Sequence, residues 1–194
     1  MKQMKLWMMT AILTCGTMVM NAQDTKHEVG ISIGMASNST ILSTLEDLTT
    51  VPATLGSVKY DNEKYVGPLA VEYFYHITSK IGIGGIASYV NTKKDAIVVG
   101  TKQGDAKVNY LTVMPAVKLG WFEREHIGMY SKLAAGVTFR SEKQDWANIS
   151  ENSVKFNFQA SFVGLEAGSK TLRGFAELGV GEQGIVLAGV RYKF

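Results

Sequence analysis

The sequence predicts an all-β fold, a closed antiparallel up-and-down transmembrane β-barrel of eight strands. Three observations predict it. Eight stretches of the 194-residue chain alternate apolar and polar side chains with a period of two, as a strand with two different faces does. The connections between these stretches alternate between long polar segments and short turns. The last stretch, GIVLAGVRYKF, keeps its alternation up to an aromatic residue, Phe194.

The first 22 residues are interpreted as a cleaved signal peptide, which leaves residues 23–194 for the barrel. Lys2 and Lys5 give a positive start, and residues 6–20 are almost wholly apolar. This apolar run is shorter than the roughly 20 residues that a transmembrane helix needs. The only cysteine, Cys15, lies inside it, so we expect the mature chain to contain no disulfide bond.

The charge of the chain argues against a nucleic-acid-binding protein. The formal net charge is +3, and removal of Lys2 and Lys5 with the signal peptide leaves +1. Such a balance provides no basic surface for a polyanion. Glycine and aromatic residues are frequent and proline is rare, which suits a set of long strands.

The first four runs each separate an apolar from a polar face. HEVGISIGMA places Val29 and Ile31 together, and YVGPLAVEYFYHI sets its apolar residues opposite Glu72. IGIGGIASYV is the third run. VNYLTVMPAVKLGWF puts Lys118 across from its apolar face. All four are therefore predicted to be strands with two different environments.

The last four runs follow the same rule. IGMYSKLAAGVTFR sets Lys132 against its apolar residues, and VKFNFQASFVGLEAG changes phase near Gly164, which predicts a β-bulge there. LRGFAELGV places Glu177 away from Leu178, and GIVLAGVRYKF closes the set. In a closed barrel this eighth strand pairs with the first, so that no strand edge remains unpaired.

The connections predict the topology. Residues 37–64, 92–107 and 141–153 are long and polar, whereas TSK, EREH, SKT and GEQG are short. In a barrel that starts in the periplasm, the long segments become extracellular loops and three of the short ones become periplasmic turns. The short GEQG segment is then the last extracellular loop.

Charged side chains on the polar face predict the content of the lumen. A charge on the lipid side at mid-membrane costs roughly 2–4 kcal/mol, so the charged face is the interior. Eight strands close around an interior that side chains alone can fill. We expect a charge network that plugs the lumen, formed by Glu72, Lys118, Lys132, Arg140, Lys155, Glu166, Arg173, Glu177 and Arg191.

A soluble β-sandwich or lipocalin-like barrel would show the same alternation, with the apolar face inward. The aromatic residues at the ends of the apolar faces favour the membrane barrel, because they form the girdle expected at a bilayer interface. They are Tyr65, Tyr75, Trp121, Phe139, Tyr192 and Phe194.

Two segments carry a resemblance to a known family. YLTVMPAVKLGW at 110–121 and GFAELGVGEQGIVLAGVRYKF at the end, together with the exported start, resemble the small outer-membrane β-barrels of the porin-like, OmpA/OmpX type. The resemblance implies the outer membrane of a Gram-negative-type envelope, contact with its lipids and lipopolysaccharide, and recognition of Tyr192 and Phe194 by the barrel-assembly machinery. It implies no activity, because such barrels serve many roles.

We find no predicted catalytic or metal site. His27, His76 and His126 are expected at the periplasmic rim as solvated residues, and no histidine cluster has metal-ligand spacing. GIGG lacks the following helix of a phosphate loop. No cofactor is therefore predicted.

The sequence favours a non-enzymatic function: a plugged barrel whose long loops serve surface contact or envelope stability. Loop 37–64 has a net charge of −2 and loop 92–107 a net charge of +2, which suits a protein or glycan ligand better than one strongly charged ligand. Two alternatives remain open, a narrow passive channel for small solutes and a lipid-modifying enzyme.

Overall fold

The structure, a computed structural model, describes residues 26–41, 58–98, 101–144 and 149–194, and the signal peptide lies outside this part of the chain. It contains eight strands, and a turn of helix follows the first of them at residues 38–41. The strands are β1 (His27–Met35), β2 (Val58–His76), β3 (Ile81–Val98), β4 (Thr101–Glu123), β5 (Ile127–Gln144), β6 (Ile149–Gly168), β7 (Leu172–Gly181) and β8 (Val186–Lys193).

The strands form one closed barrel in sequence order, with every neighbouring pair antiparallel. The β1–β8 pairing closes it and runs from Glu28↔Lys193 to Met35↔Val186. The eight-stranded up-and-down barrel predicted from the sequence is confirmed. The predicted bulge corresponds to a register shift between Ser161 and Val163, next to Gly164.

The short connections are as predicted, but two of the three long loops are not. Segment 92–107 is mostly strand, because β3 continues to Val98 and β4 begins at Thr101. Segment 141–153 is likewise mostly strand, and β2 already begins within segment 37–64. The prediction was wrong because hydropathy marks the membrane-spanning part of a strand, whereas backbone pairing continues in water without an apolar face.

The barrel wall is therefore uneven. On one side, pairing of β1 with β2 ends at Ile33↔Leu69, but β2 extends to Val58. On the other, pairing of β7 with β6 ends at Gln159↔Gly181, but β6 extends to Ile149. At about 3.3 Å per residue, β2–β6 continue roughly 30–35 Å beyond their neighbours. We call this extension the protruding sheet, its end of the barrel the loop end, and the opposite end the turn end.

The outer face is apolar on all eight strands, and its large side chains are exposed. Examples are Ile31, Leu111, Leu133 and Phe156, the last 74% exposed. Among the described residues, the inner face is mostly polar but carries two apolar clusters. One lies on β2–β5 and is formed by Ala70, Phe74, Ile86, Met114, Ala116 and Ala134. The other lies on β3–β4 and is formed by Val90, Val108 and Tyr110. Within the described residues, no helix has the length and hydropathy needed to cross a membrane.

Candidate functional site: the barrel lumen

Arg191 on β8 lies at the centre of a buried charge network in the half of the lumen nearer the turn end. Its guanidinium donates to Glu166 Oε2 at 2.6 Å and to Glu72 Oε1 at 2.8 Å. It also lies 3.3 Å from Glu28 Oε1, and its Nη2 donates to the Tyr130 hydroxyl at 2.8 Å. One cation from β8 thus joins carboxylates of β1, β2 and β6.

Lys132 on β5 forms the second centre. Its ammonium donates to Glu72 Oε2 and Glu177 Oε1, each at 2.8 Å. Glu177 also accepts hydrogen bonds from the Tyr130 hydroxyl and the Ser161 hydroxyl. All of these side chains are buried, so the pairs are screened little by solvent.

The network continues to the turn end around Glu166 and Glu28. Lys193 and Arg173 donate to Glu166 Oε1 at 2.7 and 2.6 Å. Lys118 donates to Glu28 at 2.8 Å and to Glu166 at 3.3 Å. His76 Nε2 lies 3.1 Å from Glu28 Oε2. Each described carboxylate in this half therefore has at least one basic partner.

Cross-strand glycines make room for the bulky members of the network. Tyr130 lies opposite Gly164 in the β5–β6 register, and a Cβ at Gly164 would overlap the tyrosine ring. A Cβ at Gly30 would lie 2.9 Å from the side chain of Glu72, its partner in the β1–β2 register. The ring of Tyr130 also receives two cations, the Lys118 ammonium at 4.2 Å and the Arg191 guanidinium at 4.6 Å from its centroid.

A second polar cluster occupies the loop end of the lumen and centres on Glu182 in the β7–β8 turn. Glu182 accepts hydrogen bonds from the Ser39 backbone N–H (3.1 Å) and hydroxyl (2.7 Å) and from Asn157 Nδ2 (2.8 Å). The Thr112 hydroxyl lies 3.3 Å from Glu182 Oε1 and 2.6 Å from the Thr138 hydroxyl. Burial raises the pKa of the Glu182 carboxyl, and these hydrogen bonds offset only part of that effect.

Seven of the nine residues predicted for the lumen network converge in the half nearer the turn end: Glu72, Lys118, Lys132, Glu166, Arg173, Glu177 and Arg191. The other two, Arg140 and Lys155, lie nearer the loop end. Arg140 pairs with Glu142 at 2.7 Å, and Lys155 is exposed. Both follow the inward phase, but they lie where the strands have risen toward the loop end and the inner face opens to solvent.

The prediction missed several members of the two clusters. Glu28, Tyr130 and Lys193 lie on the inward phase of their strands and could have been found by extending the alternation to every position. Glu182 belongs to a turn, where no alternation indicates which way a side chain points.

The three histidines lie at the turn end, as expected, but two are less solvated than predicted. His76 is half-buried against Glu28 and His27 is half-buried, whereas His126 is exposed, with Nδ1 3.2 Å from the Gly168 carbonyl oxygen. Among the described residues, no group of three or more His, Cys, Asp or Glu side chains is placed to hold a metal ion.

His27 and Phe194 meet at the seam that closes the barrel. Their backbones exchange two hydrogen bonds, of 2.9 and 2.8 Å, and their rings stack with centroids 5.4 Å apart. Tyr192 stacks on Phe194 at 5.8 Å, and the Tyr73 hydroxyl lies 2.8 Å from His27 Nδ1. The predicted assembly residues are thus part of an aromatic cluster on the outer face of the turn end.

No family model matches the chain, and no curated protein matches it. Two solved structures similar to it are of Ail, the attachment invasion locus protein of Yersinia pestis. One, in complex with the heparin analogue sucrose octasulfate, is 16% identical, covers 87% of this chain and 99% of that chain, and has a TM-score of 0.48. The other is 17% identical, covers 87% and 96% of the two chains, and has a TM-score of 0.42. At such identities and TM-scores, nothing about function carries over to this chain.

Proposed function

We propose that this protein is a non-enzymatic outer-membrane barrel that presents the protruding sheet for contact at the cell surface. The observation that carries the proposal is the unequal length of the strands. β2–β6 continue roughly 30–35 Å past β1, β7 and β8, far more than closing the barrel requires. A paired sheet of this length offers a stiffer surface to a protein or glycan than a flexible loop does.

The apolar outer face supports a membrane location. A soluble monomer rarely exposes a continuous apolar patch of more than a few hundred Å², whereas here large apolar side chains are exposed on every strand. A bilayer removes the cost of this exposure. It also requires that backbone N–H and C=O groups be paired within the protein, which closure of the barrel achieves.

The topology supports an orientation with the turn end in the periplasm and the protruding sheet outside, since outer-membrane barrels have short periplasmic turns. In this orientation, the outer face contacts membrane lipids and lipopolysaccharide. The last strand, with Tyr192 and Phe194, is the segment that the barrel-assembly machinery recognises during biogenesis. The signal peptide supplies the export that this route needs.

The content of the lumen favours a plugged barrel rather than an open channel. The network around Arg191 and Lys132 and the apolar cluster near Phe74 fill the interior at different positions around its wall. A lipid-modifying enzyme has less support still, because all three histidines lie at the turn end, away from the outer leaflet.

Shortening one protruding hairpin tests the proposal. Residues 94–106 would be replaced by Asn-Gly, which forms a tight turn between Lys93 and Lys107, a registered pair. The control replaces only residues 99–100 with Asn-Gly and keeps the hairpin length. Cells displaying the wild type and the control should bind to arrays of matrix proteins and glycans, and cells with the short hairpin should lose that binding.

Equal binding by the short variant and the wild type would contradict surface contact through this sheet. Both variants must shift in mobility on a gel when boiled, as a folded barrel does, and both must fractionate with the outer membrane. A large, steady conductance of the wild type in planar bilayers would place the channel first.

A further inference from the structure

Glu182 differs from the carboxylates of the charge network in the partners that it has. Its side chain is 0% exposed. Within the described residues, its hydrogen-bond donors are the backbone amide and hydroxyl of Ser39, the side-chain amide of Asn157 and the hydroxyl of Thr112. All of these donors are neutral. A buried carboxylate without an opposite charge in contact is costly, and the usual response is to bind a proton.

Charged groups on the surrounding strands do not replace that missing contact. Arg140 on β5 and Lys155 on β6 lie two residues outward from Thr138 and Asn157, and Glu142 pairs with Arg140. These two cations favour the ionised form of Glu182 from a distance. Burial nevertheless raises the pKa of the carboxyl.

The hydroxyl groups around Glu182 can accommodate a proton without moving. Oε2 accepts from the Ser39 N–H and from Asn157 Nδ2. The Ser39 hydroxyl lies within hydrogen-bond distance of both carboxyl oxygens, 2.7 Å from Oε1 and 2.8 Å from Oε2, and by donating to Oε2 it leaves Oε1 to carry the proton. A protonated Oε1 donates to Thr112 Oγ1 at 3.3 Å, and Thr112 then donates to Thr138 Oγ1 at 2.6 Å. In the ionised form the same two hydroxyls reverse, because each can donate or accept.

Glu182 also bonds to the segment that directly follows β1. Ser39 belongs to the helical turn at residues 38–41, which directly follows β1. Asn38 donates to Asn157 Oδ1 at 2.9 Å, and Ser37 and Ser39 are both buried. The turn is therefore held in the mouth of the barrel through Glu182 and Asn157.

We infer that Glu182 is a proton-binding site that holds the 38–41 turn in the barrel mouth when protonated and releases it on ionisation. The inference does not depend on surface contact by the protruding sheet. Its sign follows from linkage: a carboxyl that binds its proton more tightly in the closed state favours that state at low pH. The preference is complete below the ordinary glutamate pKa of about 4.3 and is lost as pH rises through the higher pKa of the closed state.

Hydrogen exchange of the Ser39 amide reports directly whether the 38–41 turn is held by Glu182, because that N–H donates to the Glu182 carboxyl. Exchange would be measured by NMR on the full barrel in lipid nanodiscs from pH 4.5 to 8, for wild type, Glu182→Gln and Glu142→Gln. Glu142→Gln is the matched control, the same chemical change at the loop end outside the cluster. Comparing proteins at one pH cancels the intrinsic pH dependence of exchange.

We expect Ser39 protection in wild type and in Glu142→Gln to fall at least threefold relative to Glu182→Gln across this range. Equal pH dependence in all three proteins would overturn the inference. Loss of protection in Glu182→Gln already at pH 4.5 would also overturn it, since the ionised carboxylate would then be the form that holds the turn.

A measurement on the unmutated protein keeps the test decisive if the glutamine variant fails to fold. The ¹³C shift of the Glu182 carboxyl should titrate above the ordinary glutamate value of about 4.3. A midpoint at or below that value would overturn the inference.

Discussion

The buried carboxylates at the two ends of the lumen have different partners, charged at one end and neutral at the other. Toward the turn end, Glu72 contacts Arg191 and Lys132, each at 2.8 Å. At the loop end, Glu182 is equally buried and contacts neutral donors from three different elements. Paired buried charges stabilise one arrangement, and the free energy of unfolding falls strongly when one partner of a pair is removed. A carboxylate among hydroxyls and amides costs less to neutralise, so it is suited to respond to protons.

Removing the central cation should have the largest effect. Arg191→Met leaves Glu28, Glu72 and Glu166 with fewer counter-charges in a buried site. We expect the free energy of unfolding to fall by about 3–5 kcal/mol, as when a buried ion pair loses one partner. Urea unfolding in lipid vesicles, followed by gel mobility, measures it.

Arg140→Met is the matched control for that experiment. Arg140 pairs with Glu142 in a half-buried site at the loop end, where such pairs contribute at most about 1 kcal/mol. Equal losses in the two variants would show that the lumen network has no special role in stability.

Gly164→Ala, which fills the space beside Tyr130, should have the next largest effect on the free energy of unfolding. A Cβ at Gly164 overlaps the Tyr130 ring, and Tyr130 must then withdraw from Glu177 and Arg191. Overpacking of this kind costs about 1–3 kcal/mol. Gly174→Ala is the control, because the nearest atom to its new Cβ is the Ala167 carbonyl oxygen at 3.9 Å. Comparable unfolding midpoints for the two alanine variants would contradict the overlap.

A smaller effect is expected at the loop end. Glu182→Ala leaves the donors of Ser39 and Asn157 without their acceptor, which costs about 1–2 kcal/mol. Glu182→Gln keeps an acceptor oxygen and should unfold within ~0.5 kcal/mol of wild type at pH 4.5, because burial raises the pKa of the Glu182 carboxyl and favours its neutral form at low pH. Urea unfolding at that pH compares the three proteins. A glutamine variant as unstable as the alanine variant would show that the loop-end cluster depends on charge, as the network does.

The sequence could predict the network better than the loop-end cluster, for a physical reason. Strand alternation determines which face a side chain occupies, so Glu72 and Arg191 were identified without knowledge of the register. Alternation does not show where the barrel ends, so it also selects Arg140 and Lys155, which lie nearer the loop end. Glu182 could not be found from the sequence, because its burial depends on the β7–β8 turn meeting the segment after β1 only once the barrel has closed.

The seam at the turn end provides the smallest effect on stability and a sharp contrast with the lumen beside it. Phe194 is 45% exposed, and its backbone bonds to His27 survive truncation of the ring. Phe194→Ala therefore loses mainly the stacking on His27 and Tyr192, worth about 1 kcal/mol.

We expect the purified Phe194→Ala variant to refold in detergent almost as wild type does. If the ring serves recognition during assembly, as we propose, the yield of the variant in the outer membrane should nevertheless fall severalfold. Leu172→Ala removes a similarly exposed apolar side chain beside Tyr192 in the register, but on β7, and should keep its yield. If quantitative blots of membrane fractions found equal yields for the two variants, Phe194 would be an ordinary residue of the aromatic girdle. If Phe194→Ala also failed to refold in detergent, the seam would contribute to stability on the same scale as the Arg191 network, and the contrast between them would be lost.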